Sequence, residues 1–327
     1  MRYVFGPVPS RRLGRSLGID TVPSKTCNWN CVYCQLGRTH PLTNARKDFF
    51  PVERILAEVR ARLAALRSDS IDWITFVASG EGTLHRGTGD LIREVKRLSD
   101  HPVAVITNGS LLHLAEVRAE LAAADAVLPT LDTGDADLFR RLNRPHRCLT
   151  FEQHVAGIAA FARLRSRGRL WIEVMLVAGL NDSEPALRRL AAVLEHIGPD
   201  EIHLILPSRC PVEPWVRPPD TDGLRCAQAI LGAKASLTPP PAMPAATVHA
   251  APADPDLVAI VTRHPLRRAD LASVFAGWPA ARINALVADL LAAGRIQVVA
   301  RFGEPFIVAA GLRYPKENAV IDNKIGA

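Results

Sequence analysis

Residues 25–37 read KTCNWNCVYCQLG and hold three of the chain's six cysteines, Cys27, Cys31 and Cys34, within eight positions. A single cysteine is usually a small buried hydrophobe. That reading covers Cys148, Cys210 and Cys226, which lie far apart. It does not explain three thiols at C-x3-C-x2-C between a strand pattern and a helix pattern. Zinc asks for four ligands, commonly as two short pairs. Here the next candidate, His40, lies six positions past Cys34 and no second cysteine pair follows. Thiolates are the standard ligands of a [4Fe–4S] cluster. Three of them bind three irons and leave the fourth open to a chelating small molecule.

The rest of the composition fits a chain with metal rather than disulfide chemistry. At 327 residues, two domains are the natural expectation. No run of eighteen apolar residues occurs, and MRYVFGPVPSRRLGRS lacks a signal-type apolar stretch. No membrane association and a cytoplasmic location are therefore expected, where cysteines stay reduced. The formal net charge of +7 sits entirely in residues 1–47, with eight Lys or Arg against one acid, while the remaining 280 residues hold 32 of each sign. Positive charge gathered around the cysteines suits an anionic cofactor or substrate better than a basic face on the whole protein. Arg11, Arg12, Arg15 and Lys25 precede the cysteines, and Arg140, Arg141, Arg144, His146 and Arg147 surround NRPH at 143–146. These read equally as solvated charge and as a rim recognising phosphate, carboxylate or RNA backbone.

Strand patterns fall near 16–22, 71–78, 103–107, 126–131, 170–177 and 201–206, with amphipathic helix patterns between them. In PVERILAEVRARLAALR, Pro51 suits a first helical position, and Val52, Ile55, Leu56, Val59, Leu63 and Leu66 share one face. Six strands alternating with helices predict an α/β fold with a parallel sheet, as an open sheet or a barrel. Residues 1–237 form this expected core. Residues 238–254, with TPPPAMPAATVHAAPADP, read as a Pro/Ala-rich linker. Residues 255–312 then show helices near 255–263, 267–276 and 279–292 and a hairpin over RIQVVARFGEPFIV, the order of a winged helix-turn-helix; 313–327 form a tail.

The cysteine motif, with aromatic Tyr33 just before its last cysteine, resembles that of the radical S-adenosylmethionine (radical SAM) enzymes. The resemblance spans about residues 4–219, through GPVPSRRLGRSLGID, SGEGTLH, ITNGS, LPTLDTGD, FRRLNRPH, GLNDSE and EPWVRPP. These segments look like a subgroup of iron–sulfur oxidoreductases distantly similar to wyosine-forming tRNA enzymes and molybdenum-cofactor biosynthesis enzymes. It implies a partial (β/α)6 TIM-like barrel with the site along the C-terminal strand ends. It implies a [4Fe–4S] cluster on Cys27, Cys31 and Cys34, with S-adenosylmethionine chelating the open iron. One electron, from a reductant such as flavodoxin or ferredoxin, then cleaves the cofactor. The products are methionine and a 5′-deoxyadenosyl radical that abstracts hydrogen from the substrate. By the same resemblance Tyr33, Gly80 and Glu81 (of Ser79-Gly80-Glu81), Asn108, Asp132 and Asn181 are cofactor contacts. Gly82 stands where the family commonly has proline. No cysteine precedes Cys27 or follows Cys226, so the second clusters of the two distant groups are not expected.

The small domain argues against DNA reading, which needs several cations on one face. Residues 252–312 carry six Arg and five acids, and the third helix pattern offers only Arg282. A protein-contacting or substrate-presenting module is the better expectation. An iron–sulfur redox or iron sensor with a DNA- or protein-binding winged helix is the alternative to an enzyme.

Overall fold

The computed structural model describes residues 3–10, 12–165, 168–238, 257–275 and 277–315. Residues 239–254 of the expected linker, Arg11 and residues 316–327 of the expected tail lie outside the described residues.

The chain opens with β1 (Val4–Ser10) and β2 (Gly14–Ile19). It continues through α1 (Val52–Ala65), β3 (Trp73–Phe76), α2 (Thr88–Leu98), β4 (Val103–Thr107), α3 (Ala115–Leu121) and β5 (Ala126–Pro129). Then come α4 (Ala136–Asn143), α5 (Phe151–Leu164), β6 (Arg169–Met175), α6 (Glu184–Ile197), β7 (Glu201–Ile205), α7 (Thr221–Leu231) and β8 (Ala235–Leu237). The eight strands lie in sequence order in one sheet. The pair β1–β2 is antiparallel and every later pair is parallel. The six parallel strands β2 to β7 are those expected from the sequence. The two edges were not foreseen, and each has a local reason. Residues 4–10 carry Pro7 and Pro9, which a strand tolerates only at an edge, and β8 has just three residues.

Side-chain alternation along the strands separates two apolar layers. Val103 and Val105 of β4, Val127 of β5, and Leu170, Ile172 and Val174 of β6 point out against the helices. Ala104, Ala126, Leu128 and Trp171 point inward and meet Leu13 from the β1–β2 turn. The strands are therefore buried on both faces, as a parallel sheet wrapped in helices requires. In α1, Ile55, Leu56 and Val59 are buried as the periodicity predicts, while Pro51 takes the capping position rather than the first helical one.

Residues from 257 onward build a second unit. It consists of α8 (Leu257–Arg263), β9 (Leu266–Arg267), α9 (Leu271–Val274), α10 (Ala280–Ala292), β10 (Ile296–Arg301) and β11 (Glu304–Ala309). Its strands form a three-stranded sheet in the order β10-β11-β9. The helix pattern near 267–276 is shorter than expected because Leu266 and Arg267 are drawn into pairing with Ile307 and Phe306. The core of this unit takes in Leu36 and Cys210 and packs on Cys34, so it shares a surface with the cysteine loop. Arg263 ion-pairs Asp20 at the end of β2 (3.2 Å), and Arg301 donates to Pro211 O and Val212 O beyond β7 (2.9 and 2.8 Å). The unit thus bridges the segments that follow β2 and β7.

Candidate functional site

The long loop from β2 to α1 carries the three cysteines to the C-terminal strand ends. Lys25, just before the motif, adopts a left-handed φ of 61°, uncommon for a side-chain-bearing residue. Its Nζ lies 3.2 Å from Cys34 Sγ. Trp29 N donates to Cys27 Sγ (3.4 Å), Asn108 Nδ2 approaches Cys27 Sγ (3.9 Å), and Asn143 Nδ2 approaches Cys31 Sγ (3.8 Å). Every sulfur of the motif faces a polar donor. Burial pushes the Cys27 thiol up to about 12 and holds Cys31 well above the usual thiol range.

The strand ends meet this loop. At the end of β3, Lys25 N donates to Ser79 O and Glu81 N to Thr26 O (2.6 and 2.8 Å). A Cβ on Gly80 would fall 1.9 Å from Thr26 O, so only glycine lets the two backbones come this close. Gly80→Ala is expected to force the cysteine loop off the strand end, at a cost of about 2–4 kcal/mol. Urea unfolding of the metal-free protein and iron retention after reconstitution both read this out; wild-type values on both would sink it.

Glu81 is 1% exposed, and its carboxylate already accepts four protein donors. Oε1 takes Thr83 N, Thr83 Oγ1 and Thr107 Oγ1 (2.9, 2.6 and 2.7 Å), and Oε2 takes Asn108 N (2.6 Å). It ties the β3 loop to the β4 loop and caps the turn starting at Gly82, which anchors that loop without the family's proline. Asn108 in turn donates to Asn28 Oδ1 (2.7 Å), and Asn28 donates to Ser110 Oγ and Asn44 Oδ1 (2.8 and 2.9 Å). Asn28 was not singled out from the sequence; its position inside the cysteine motif was the available signal.

A second network lies at the ends of β5 and β6. Asp132, 2% exposed, accepts Tyr33 Oη–H and Asn143 Nδ2 (2.7 Å) at Oδ2, and Met175 N (2.8 Å) at Oδ1. Burial raises its carboxyl to about 6, against the lowering effect of those donors. Asn181 is spent on backbone: Nδ2 donates to Asp132 O and Met175 O (both 2.8 Å), and Oδ1 accepts Val177 N (2.7 Å). Asn143, unremarked except as part of NRPH, is orientated by donating to a carboxylate. Its Oδ1 is buried without a hydrogen-bond partner among the described residues. The structure therefore gathers Tyr33, Asp132 and Asn181 into one network and Gly80, Glu81 and Asn108 into another, on either side of the cysteines.

The basic residues do not form one rim. Arg15 pairs with Asp72 near the opposite, N-terminal end of β2, Arg12 reaches Glu173, and Arg140 pairs with Asp137. Arg144, at a left-handed φ of 45°, and Arg38 both reach buried Glu213 (2.5 and 3.2 Å). Arg38, Arg144 and Arg313 line a cavity of about 540 Å³ with Asn30, Thr39 and His40. A second cavity of about 540 Å³ shares Asn30 and Arg144 and adds Arg140, His146 and Arg147. Three of the expected rim residues thus join Arg144 and Arg38 in basic cavities that share Asn30, inside the cysteine motif.

Residues 21–191 match the radical SAM superfamily. The chain belongs to that superfamily. Radical SAM enzymes use a [4Fe–4S] cluster and S-adenosylmethionine. A UPF0026 protein of Methanocaldococcus jannaschii is 39% identical over 221 residues, covering 67% of this chain and 68% of that protein. A protein of Brachyspira hyodysenteriae named GTPase Obg is 41% identical over 208 residues, covering 64% of this chain but 30% of that longer protein. Among solved structures, a radical SAM methyltransferase from Sphaerobacter thermophilus superposes with a TM-score of 0.50 at 19% identity, covering 68% of this chain and 66% of that one; this likeness is one of fold.

The donor set of this radical SAM chain fits the cluster. Among the described residues, no three His, Cys, Asp or Glu side chains gather tightly enough to hold a single metal ion. The ligands of a cuboidal cluster bind different irons and stand further apart, and hydrogen bonds to the sulfurs tune it. The unpartnered Asn143 Oδ1 offers an acceptor for an ammonium or hydroxyl of the nucleoside cofactor.

The aromatic wall behind Cys27 and Cys31 makes a pH prediction. His154 stacks on Phe139 (5.4 Å, 13°), meets the edge of Trp29, and donates Nε2–H to Thr130 O (3.0 Å). Burial lowers its pKa to about 4. Between about pH 4 and 6.5 the unfolded chain binds a proton that the native state refuses, so stability is full above pH 6.5 and falls below it. At pH 5 the loss from His154 is about 2 kcal/mol. Urea midpoints of the metal-free protein at pH 7.5 and 5, compared with those of His154→Gln, check this. An unchanged pH slope in the variant would refute it.

Proposed function

We propose that this radical SAM enzyme holds its [4Fe–4S] cluster on Cys27, Cys31 and Cys34 and acts on an anionic substrate. One observation carries the cluster assignment: each of the three sulfurs faces a donor supplied by a different segment, Lys25, Asn108 or Asn143. When bound, the cluster and S-adenosylmethionine supply a 5′-deoxyadenosyl radical that takes a hydrogen atom from the substrate. The chain's residues position and shield that chemistry. Tyr33, Gly80, Asn108, Asp132 and Asn143 line the cofactor's space. Glu81 and Asn181 act through the loops they hold, since their polar atoms are already engaged. The basic cavities with Arg38, Arg144 and Arg147 support an anionic substrate.

Residues 257–312 are read as a winged helix that contacts protein or substrate. Arg282, the one base offered by its third helix, lies over the Trp278 ring (3.5 Å to its centroid). An iron-sensing DNA regulator draws no support from the relatives. Among the described residues, no helix is long and apolar enough to cross a membrane.

The test is anaerobic reconstitution with iron and sulfide, then reduction with S-adenosylmethionine present. About four irons per chain and release of 5′-deoxyadenosine are expected. A zinc-containing protein, or a loaded cluster that never cleaves the cofactor even with cell extract added, would overturn the reading.

A further inference from the structure

The mouth of the barrel holds a positive charge that no described acid neutralises. Arg209 lies four residues past the end of β7 and is half-buried. Its Nη1 meets His264 Nδ1 at 2.8 Å and Gln35 Oε1 at 3.4 Å. Both are uncharged acceptors. His264 accepts from a guanidinium, and burial beside Arg209 and Arg263 holds its pKa at about 3. Gln35 directly follows Cys34, so Arg209 stands one residue from a sulfur of the motif.

A second guanidinium is close by. Arg12 adds to burial in disfavouring the charge on Arg209. Its Nη1 lies 2.6 Å from Oε1 of Glu173, which shares the inward face of β6 with Trp171. The approach is too oblique for a hydrogen bond, and Arg12 Nε and Glu173 Oε1 are both buried without hydrogen-bond partners among the described residues. Glu173 also raises the Asp132 carboxyl, which places this group beside the Tyr33–Asp132–Asn143 network. Arg12 thus has Glu173 as its counter-charge, whereas half-buried Arg209 meets only the uncharged His264 and Gln35, which leaves its positive charge without an acid among the described residues. Such a charge is costly unless an anion meets it.

We propose that Arg209, with Arg12 beside it, binds a carboxylate of the substrate inside the barrel mouth; this rests on the radical SAM reading and deepens it. A singly charged carboxylate balances the one free positive charge, whereas a phosphate dianion would leave a net negative charge. The planar fork of arginine suits two parallel hydrogen bonds to a carboxylate. His264, next to the end of α8, orients Arg209, so the C-terminal unit sets the geometry of the substrate site instead of standing apart from it.

The test uses [1-13C]propionate and inorganic phosphate as probes of reduced, reconstituted protein with S-adenosylmethionine already bound. The paramagnetic cluster should broaden the propionate carboxylate resonance, with at least a tenfold loss of the effect in Arg209→Met and a smaller loss in Arg209→Lys. The 31P resonance of phosphate should broaden less. In parallel, phenylglyoxal labelling of Arg209 in wild-type metal-free protein, read by mass spectrometry, should slow with propionate. Propionate that neither broadens nor protects, or broadening that survives Arg209→Met, overturns the proposal. So does displacement of propionate by S-adenosylmethionine, which would make the site the cofactor's own. Stronger effects of phosphate would replace carboxylate with a phosphate oxyanion. Iron content reports separately on the cluster reading, and the labelling decides the anion site even if no cluster loads.

Discussion

Cys31→Ala is expected to leave a folded protein that retains little iron and releases no 5′-deoxyadenosine above background, and Cys27→Ala and Cys34→Ala should match it. The physical reason is that a cluster with three protein thiolates has no spare ligand among the described residues. Exposed Cys148 and half-buried Cys226 lie elsewhere, and Cys210 is fully buried in the core of the C-terminal unit. Cys148→Ala and Cys226→Ala should therefore keep wild-type iron content and product. The contrast guards against a trivial loss of fold, because the buried Cys27 and Cys31 thiols stay neutral in the metal-free protein and alanine strands no charge. The stability of the metal-free Cys31→Ala protein, from urea unfolding, should stay within about 1 kcal/mol of wild type. Wild-type iron in Cys31→Ala, or lost iron in Cys148→Ala, would move the cluster off this motif.

The second large effect belongs to the joint between the two units. Arg263→Met should lower stability by about 3–5 kcal/mol, the usual result of stranding one partner of a buried ion pair. Asp20 is 1% exposed and Arg263 13% exposed, so among the described residues Asp20 would keep its charge with Ser79 N, Ser79 Oγ–H and a long contact from Val22 N to meet it (3.0, 2.6 and 3.5 Å). The Asp20→Asn/Arg263→Met double variant should recover more than half of the loss, because no stranded charge remains. Function should suffer as well as stability. Arg263 O accepts Gln35 Nε2 (3.1 Å) and Tyr314 donates its phenol to Gln35 O, so this joint grips the residue after Cys34. Faster loss of iron to a chelator in Arg263→Met, measured well below the urea midpoint, reports that grip. A single variant with the wild-type midpoint would show the pair to be idle.

The places where sequence and structure part follow from how local each signal is. Runs of β-branched residues reported β2 to β7 because parallel strands buried on both faces must be apolar along their length. The edges β1 and β8 escaped, since an edge strand tolerates prolines and can be very short. Polar residues at strand ends were legible as a set. Their individual tasks were not, because a side chain is spent or free according to neighbours distant in sequence. Glu81 is engaged by Thr107 and Asn108, and Asn181 by Asp132 and Met175. The basic residues show the same limit: three positions apart in the chain, Arg12 and Arg15 diverge, one to Glu173 on the inward face of β6 and the other onto exposed Asp72.

By itself the sequence determined the motif on which the chemistry rests, the parallel α/β core and the order of the site-bearing loops. Spacing and periodicity are local properties, and each residue carries them wherever the chain goes. Only the tertiary structure decided that Asn28 and Asn143 join the cysteines, that Gly80 serves a backbone contact, and that the C-terminal unit closes on Gln35 and Arg209. Those are contacts between segments tens to hundreds of residues apart, created when burial brings polar groups together and each must find a partner.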